Sequence, residues 1–153
     1  MKVRNTHRAD AQLYAEDFAL WTARTAELLR AERFGEIDIE HVAEEIEDMG
    51  KSEKRELQSR LTILIAHLLK WERQPDKPTM SWRFTINTQR TELSRLFKQS
   101  PSLKGMLADT INAIYLDAVE AAAIETGCQI ADFPTACPFS AEQIMNRAFL
   151  PAT

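Results

Sequence analysis

Between Ile39 and Trp71 apolar residues recur at helical spacing over more than thirty positions, and this regularity constrains the fold more than any other feature. Ile39, Val42, Ala43, Ile46 and Met49 make one stripe up to Gly50, and Leu57, Leu61, Leu64, Leu68 and Trp71 make a matching stripe after it. From Leu61 to Leu69 the pattern is apolar nearly all round, which marks a central buried helix. Gly50 costs a helix interior about 1 kcal/mol relative to Ala. A single bent helix, or two nearly collinear ones over 39–49 and 52–73, is therefore expected. The nine-residue stretch Leu61–Leu69, interrupted by Thr62 and His67, is too short to span a bilayer, which needs about 20, so no membrane partner is expected.

Further helical stripes flank this segment. A first helix is predicted over about Ala11–Glu32, with Tyr14, Phe18, Trp21, Thr25 and Leu28 inward, ending near Gly35. Asp38 reads as the N-cap of the long second helix. The stretch 74–78 (QPDKP) is a break, and a third helix follows over roughly Ser81–Gln99. Ser100-Pro101 reads as an N-cap with proline in the first turn of a fourth helix that ends near Gly127. Ser140 with Gln143 reads as a capping box for a last helix. The fold class is therefore all-α: a bundle of five to six helices with a long bent second helix, and no convincing strand.

Composition supports this architecture. Of 153 residues, 44% are apolar and 27% charged, as in ordinary globular chains. One helical domain over residues 13–150 is expected behind a flexible segment over 1–12. Four glycines and six prolines argue against a turn-rich β protein and against a glycine-rich nucleotide loop. Cys128 and Cys137 lack CxxC spacing and read as free thiols. The opening MKVRNTHRAD has no apolar core of the signal-peptide kind, so a soluble, cytoplasmic chain is expected.

The string Glu44–Trp71, EEIEDMGKSEKRELQSRLTILIAHLLKW, resembles the signature of the bacterial domain-of-unknown-function family 29. Ser81-Trp82, Thr85-Ile86, Gln89-Arg90, Ser100-Pro101-Ser102-Leu103, Phe133-Pro134 and Cys137-Pro138 continue the likeness, as do Tyr14, Asp17 and Trp21. The resemblance covers about residues 14–149. It implies a small helical bacterial domain and carries no activity, cofactor or partner.

Three chemistries remain to be weighed. Arg60 and His67 lie two turns apart on one helical face, a spacing that resembles the Arg-x(4–6)-His motif of the HEPN superfamily. In that likeness the histidine serves general acid–base cleavage of RNA and the arginine holds phosphate. Set against it, His67 sits in ILIAHLL, where a hydrogen-bonded core histidine fits equally well. His41, Glu44, Glu45 and Asp48 share a helix edge, but a carboxylate–histidine metal site needs a facing Glu-x-x-His, which the chain lacks. No metal and no cofactor is expected.

The last candidate rests on charge. Residues 1–50 sum to −6, residues 51–100 to +6, and residues 101–153 to −4. Within the basic band Arg83, Arg90, Arg95 and Lys98 are predicted on the outer surface of the third helix. They are the candidate set for nucleic acid or another anion, interleaved with Trp71, Trp82 and Phe84. The plainer reading sets this strip against acidic neighbours. The expected function is a non-catalytic protein-interaction module, partnered by another protein or by a second copy. An RNA-binding or RNA-cleaving protein using Arg60 and His67 is the alternative, with nucleic acid the less favoured partner.

Overall fold

The computed structural model describes residues 3–74 and 79–152, with side chains from Asp10 onward. The proline-bearing break over 75–78, Lys77 within it, and the side chain of His7 lie outside the described residues. Six α-helices follow in order: α1 (Val3–Glu16), α2 (Phe18–Arg30), α3 (Ile39–Arg73), α4 (Met80–Gln99), α5 (Leu107–Thr126) and α6 (Ala141–Met145). Short 3₁₀ turns cover Phe34–Glu36, Pro101–Met106 and Ile130–Asp132, and no strand occurs among the described residues. The chain forms two compact units, Met1–Lys51 and Ser52–Thr153.

In the first unit the helix predicted over 11–32 is two helices. Asp17 leaves helical geometry (φ −147°, ψ 87°), and its carboxylate accepts a hydrogen bond from the Leu20 N–H at 2.9 Å, so it caps α2. An aspartate can satisfy an orphan amide of a new helix, and here that option ends α1 at Glu16. The pair Arg24 Nε–Asp10 Oδ1 (3.1 Å) ties α2 back to α1. The chain turns after α2 at Glu32, which has φ 56°, rather than at Gly35, which lies in a 3₁₀ turn. Because α1 and α2 are separate, the long helix is the third, not the second. It runs without interruption through Gly50, and a methyl group at that position would meet nothing within 4 Å.

The second unit holds the main core. Leu57, Leu61, Leu64, Ile65, Leu68 and Leu69 of α3 are buried with Ile86, Leu93, Leu96 and Phe97 of α4. Ile111, Ile114, Ala118, Val119 and Ala122 of α5 complete the interior, closed by Phe133, Phe139 and Ile144. The run that is apolar all round is thus the one with neighbours on several sides, as the pattern requires.

The caps explain where these helices stop. Thr79 caps α4 by accepting from the Trp82 N–H. Gly127 ends α5 in the left-handed region at φ 72°, where an L side chain would be strained. Ser140 and Gln143 form the expected capping box of α6. Ser100 departs from expectation. Its hydroxyl makes no cap and instead donates to Glu53 Oε2 at 3.0 Å, while the following turn is 3₁₀ before α5 begins.

Candidate functional site: an acidic and apolar helix face

In the first unit, folding α2 back on α1 gathers Tyr14, Phe18 and Trp21. The Tyr14 and Trp21 rings meet edge to face at 4.8 Å, and Phe18 lies 5.7 Å from Trp21. The first turns of α3 join them: His41 stacks on Tyr14 at 4.0 Å, and the Tyr14 hydroxyl donates to Glu45 Oε1 at 2.5 Å. His41 Nδ1 is 2.5 Å from Asp38 Oδ2, and the same carboxylate accepts from the His41 backbone N–H, as an N-cap does. Two pKa shifts follow from these contacts. The Asp38 carboxylate holds the His41 imidazolium above its usual range, despite some desolvation. Glu45 beside the Tyr14 hydroxyl pushes that phenol up to about 12, so it stays protonated and donating.

His41 and Glu45, one turn apart, define the side of α3 that these aromatics occupy. Ile39 and Ile46 lie on another side, with Met49 between that side and Glu45, and the three are 59%, 63% and 69% exposed. Phe18, Leu20, Leu29 and Phe34 of the same unit are also largely exposed. Of its described apolar side chains, the buried large ones are Trp21, Leu28 and Ile37. Glu40, Glu44 and Glu47 stand exposed along α3 with no ion pair among the described residues. The unit therefore presents an apolar stripe with an acidic flank.

The residues considered for metal are otherwise engaged. His41 faces Asp38, Glu45 holds Tyr14, and Asp48 pairs with Lys51 at 3.1 Å. No group of three or more metal-ligating side chains occurs among the described residues.

Arg60 and His67 are not brought together by any hydrogen bond among the described residues. Arg60 Nε donates to Glu56 Oε1 at 2.8 Å, and its other nitrogens face Gln89 (3.4 Å) and Glu92 (3.7 Å) on α4. Three neutral or acidic acceptors thus occupy the guanidinium that a phosphate would need. His67 is half-buried and its Nδ1 donates to the Ile63 carbonyl at 2.9 Å, one turn back on its own helix. Burial holds its pKa below the usual value, and Lys70 adds to that effect. Neither residue lines the cavity of about 490 Å³ beside α6 or that of about 470 Å³ beside Phe133.

The predicted anion set disperses as well. Arg90 is a correction: it is fully buried rather than on the outer surface of its helix. Its Nε donates to the Ile144 carbonyl (2.7 Å), and its two terminal nitrogens donate to the Phe149 (2.9 Å) and Gln143 (3.2 Å) carbonyls. Gln143 and Ile144 belong to the last turn of α6, where the Gln143 carbonyl also accepts from the Asn146 N–H at 3.2 Å and the Ile144 carbonyl has no backbone donor among the described residues. The guanidinium donates to both and sits at the negative end of the helix dipole. Arg95 is exposed and paired with Glu92 at 3.0 Å. Arg83 and Lys98 are exposed with no ion pair among the described residues but stand fifteen residues apart on α4, about 22 Å by helix rise.

Lys70, read as part of the basic band, is also buried. It pairs with Glu125 of α5 and lies 4.5 Å above the Trp82 ring. Within the basic band Arg60 and Arg95 meet Glu56 and Glu92 of the same third of the chain, Lys70 meets Glu125 of the last third, and Arg90 meets carbonyls.

Sequence reasoning misses the Tyr14–Glu45 and Asp10–Arg24 links, because each joins residues whose proximity depends on the break at Asp17. Tyr14, Arg24, Lys70 and Arg90 each link two helices or a helix and the C-terminal segment. The class this structure defines is an all-helical protein of two compact units, with exposed apolar side chains on α3 among the described residues. Residues 13–150 match the family described as "Domain of unknown function DUF29", and the chain belongs to that family. No curated protein and no solved structure matches it. None of its described helices is long and apolar enough to cross a membrane.

Proposed function

We propose that the chain is a non-catalytic interaction module whose α3 stripe of Ile39, Ile46 and Met49 receives an amphipathic helix from a partner protein. The exposure of these three side chains, on a helix otherwise used to build core, carries the reading. Apolar surface left in water marks a site of association. The three residues span ten positions, about 15 Å of helix, the footprint of a helix laid in a groove. Glu40, Glu44 and Glu47 beside them favour a partner with lysine or arginine along its flanks.

The test is fluorescence anisotropy with a labelled amphipathic peptide bearing lysine flanks, and a second with glutamate flanks. The lysine peptide is expected to bind at least tenfold tighter, with the preference shrinking in high salt. Ile46→Asp and Met49→Asp are each expected to weaken it about tenfold while leaving the melting temperature unchanged, since both side chains are exposed in the free protein. Equal binding by the Asp variants overturns the reading. Concentration-dependent dimers in light scattering, lost in Ile46→Asp, identify the partner as a second copy instead.

A further inference from the structure

A cavity of about 490 Å³ opens in the second unit where the last turn of α4, the 3₁₀ turn after it, the start of α5 and the short helix α6 converge. Its floor is apolar: Phe97 is buried, and Leu107 and Met145 are half-buried. Its rim carries Lys98, Lys104 and Glu142, all exposed, and none of the three makes a side-chain hydrogen bond or ion pair among the described residues. Elsewhere in this unit Arg60 and Lys70 meet carboxylates and Arg90 meets carbonyls, while Lys54, Arg55 and Arg83 are exposed with no ion pair among the described residues and line no part of this cavity. Two unpaired lysines beside one apolar hollow set this place apart.

We propose that this cavity binds a small amphipathic carboxylate, with its hydrocarbon body on Phe97, Leu107 and Met145 and its head at the mouth with Lys98 and Lys104. The volume lies within the roughly 300–1,000 Å³ of small-molecule sites, which are typically apolar with a few placed polar groups. Two lysines against Glu142 leave a formal charge of +1 at the rim, which matches a monoanion rather than a phosphate dianion. Ammonium groups on flexible stems bind as point charges and suit a mobile head group, whereas phosphate recognition draws on the bidentate arginine fork. The site shares no residue with the α3 stripe and stands whether or not that reading does.

Straight-chain fatty acids are the probe, followed by titration of backbone amide resonances on the full chain. Octanoate is expected to shift resonances of residues around Phe97, Leu107 and Met145, with octanol at least tenfold weaker. Lengthening hexanoate to octanoate buries two more methylenes and is expected to tighten binding about tenfold. Lys98→Gln with Lys104→Gln is expected to weaken octanoate about tenfold and leave octanol unchanged, and Glu142→Gln to strengthen octanoate two- to threefold. These three side chains are exposed, so the variants keep the fold. Ala141→Phe, which fills the hollow, is expected to abolish binding of both probes. Equal affinity for octanol and octanoate, no dependence on chain length, or shifts confined to another part of the chain would each overturn the proposal.

Discussion

Ile39 and Leu57 are eighteen residues apart, as are Ile46 and Leu64, and eighteen residues make five full turns of an ideal helix. By period these four belong to one stripe of α3. Leu57 and Leu64 are nevertheless buried, while Ile39 and Ile46 are more than half exposed. The difference is not in the helix but in what the chain supplies to cover it. Around Leu57–Leu69 the second unit brings α4 and α5, whereas the first unit offers its aromatic cluster to the His41–Glu45 side of α3. An amphipathic pattern marks a surface that favours burial and leaves open which body does the burying.

The sharpest way to break this contrast is to truncate both ends of the stripe. Leu64→Ala or Leu68→Ala should cost about 2–5 kcal/mol in urea denaturation, since both side chains are fully buried and leave a cavity. Ile46→Ala should stay within about 0.5 kcal/mol. A comparable cost at Ile46 would mean that its side chain is covered after all. Next in size is Arg90→Met, expected to cost about 2–4 kcal/mol, because the buried Ile144 carbonyl and the Phe149 carbonyl lose their donor and Gln143 loses one of its two. Hydrogen exchange should locate the loss in residues 141–149. Arg90→Lys should recover little of it, since one ammonium lacks the planar fork that reaches three carbonyls.

Smaller and opposite in sign are the effects of the two histidines of α3. His41 has a raised pKa in the folded state, so its contribution is complete below the unfolded value near 6.5 and is lost as pH rises through the folded value. His67 has a lowered pKa and favours the neutral ring. Its contribution is present above about pH 6.5 and is lost as pH falls towards the folded value. Titration of the two ring resonances should place His41 above and His67 below the free imidazole, and Asp38→Asn should lower His41 alone. The smallest effect is expected at the exposed pair Asp48–Lys51, where Lys51→Gln should change stability by less than about 0.5 kcal/mol.

How far the sequence could be read depended on how local each interaction was. Gly127 and the Ser140–Gln143 box are settled within a few residues, and both stand where spacing puts them. Asp17 is equally local, yet the continuous 3–4 pattern of Tyr14, Phe18 and Trp21 hides it, because those rings keep their period across the break and meet around the turn. Ser100 has the signature of a cap, but Glu53 lies 47 positions away and takes its hydroxyl. Arg90 looks like a surface charge by residue type, and only the arrival of α6 and the C-terminal segment at α4 gives it buried acceptors.

The sequence alone determined the helices, most of their ends and the alternation of acidic and basic thirds, because propensity, capping and period are properties of neighbours along the chain. Only the tertiary structure decided which charges are spent. Lys70 and Arg90 are spoken for by groups 53 to 59 positions away. Among the described residues Lys98 and Lys104 have no ion pair beside an apolar hollow, and Ile39 and Ile46 at one end of the α3 stripe stay exposed. Those outcomes depend on which helix faces which, and no residue carries that information in its immediate surroundings.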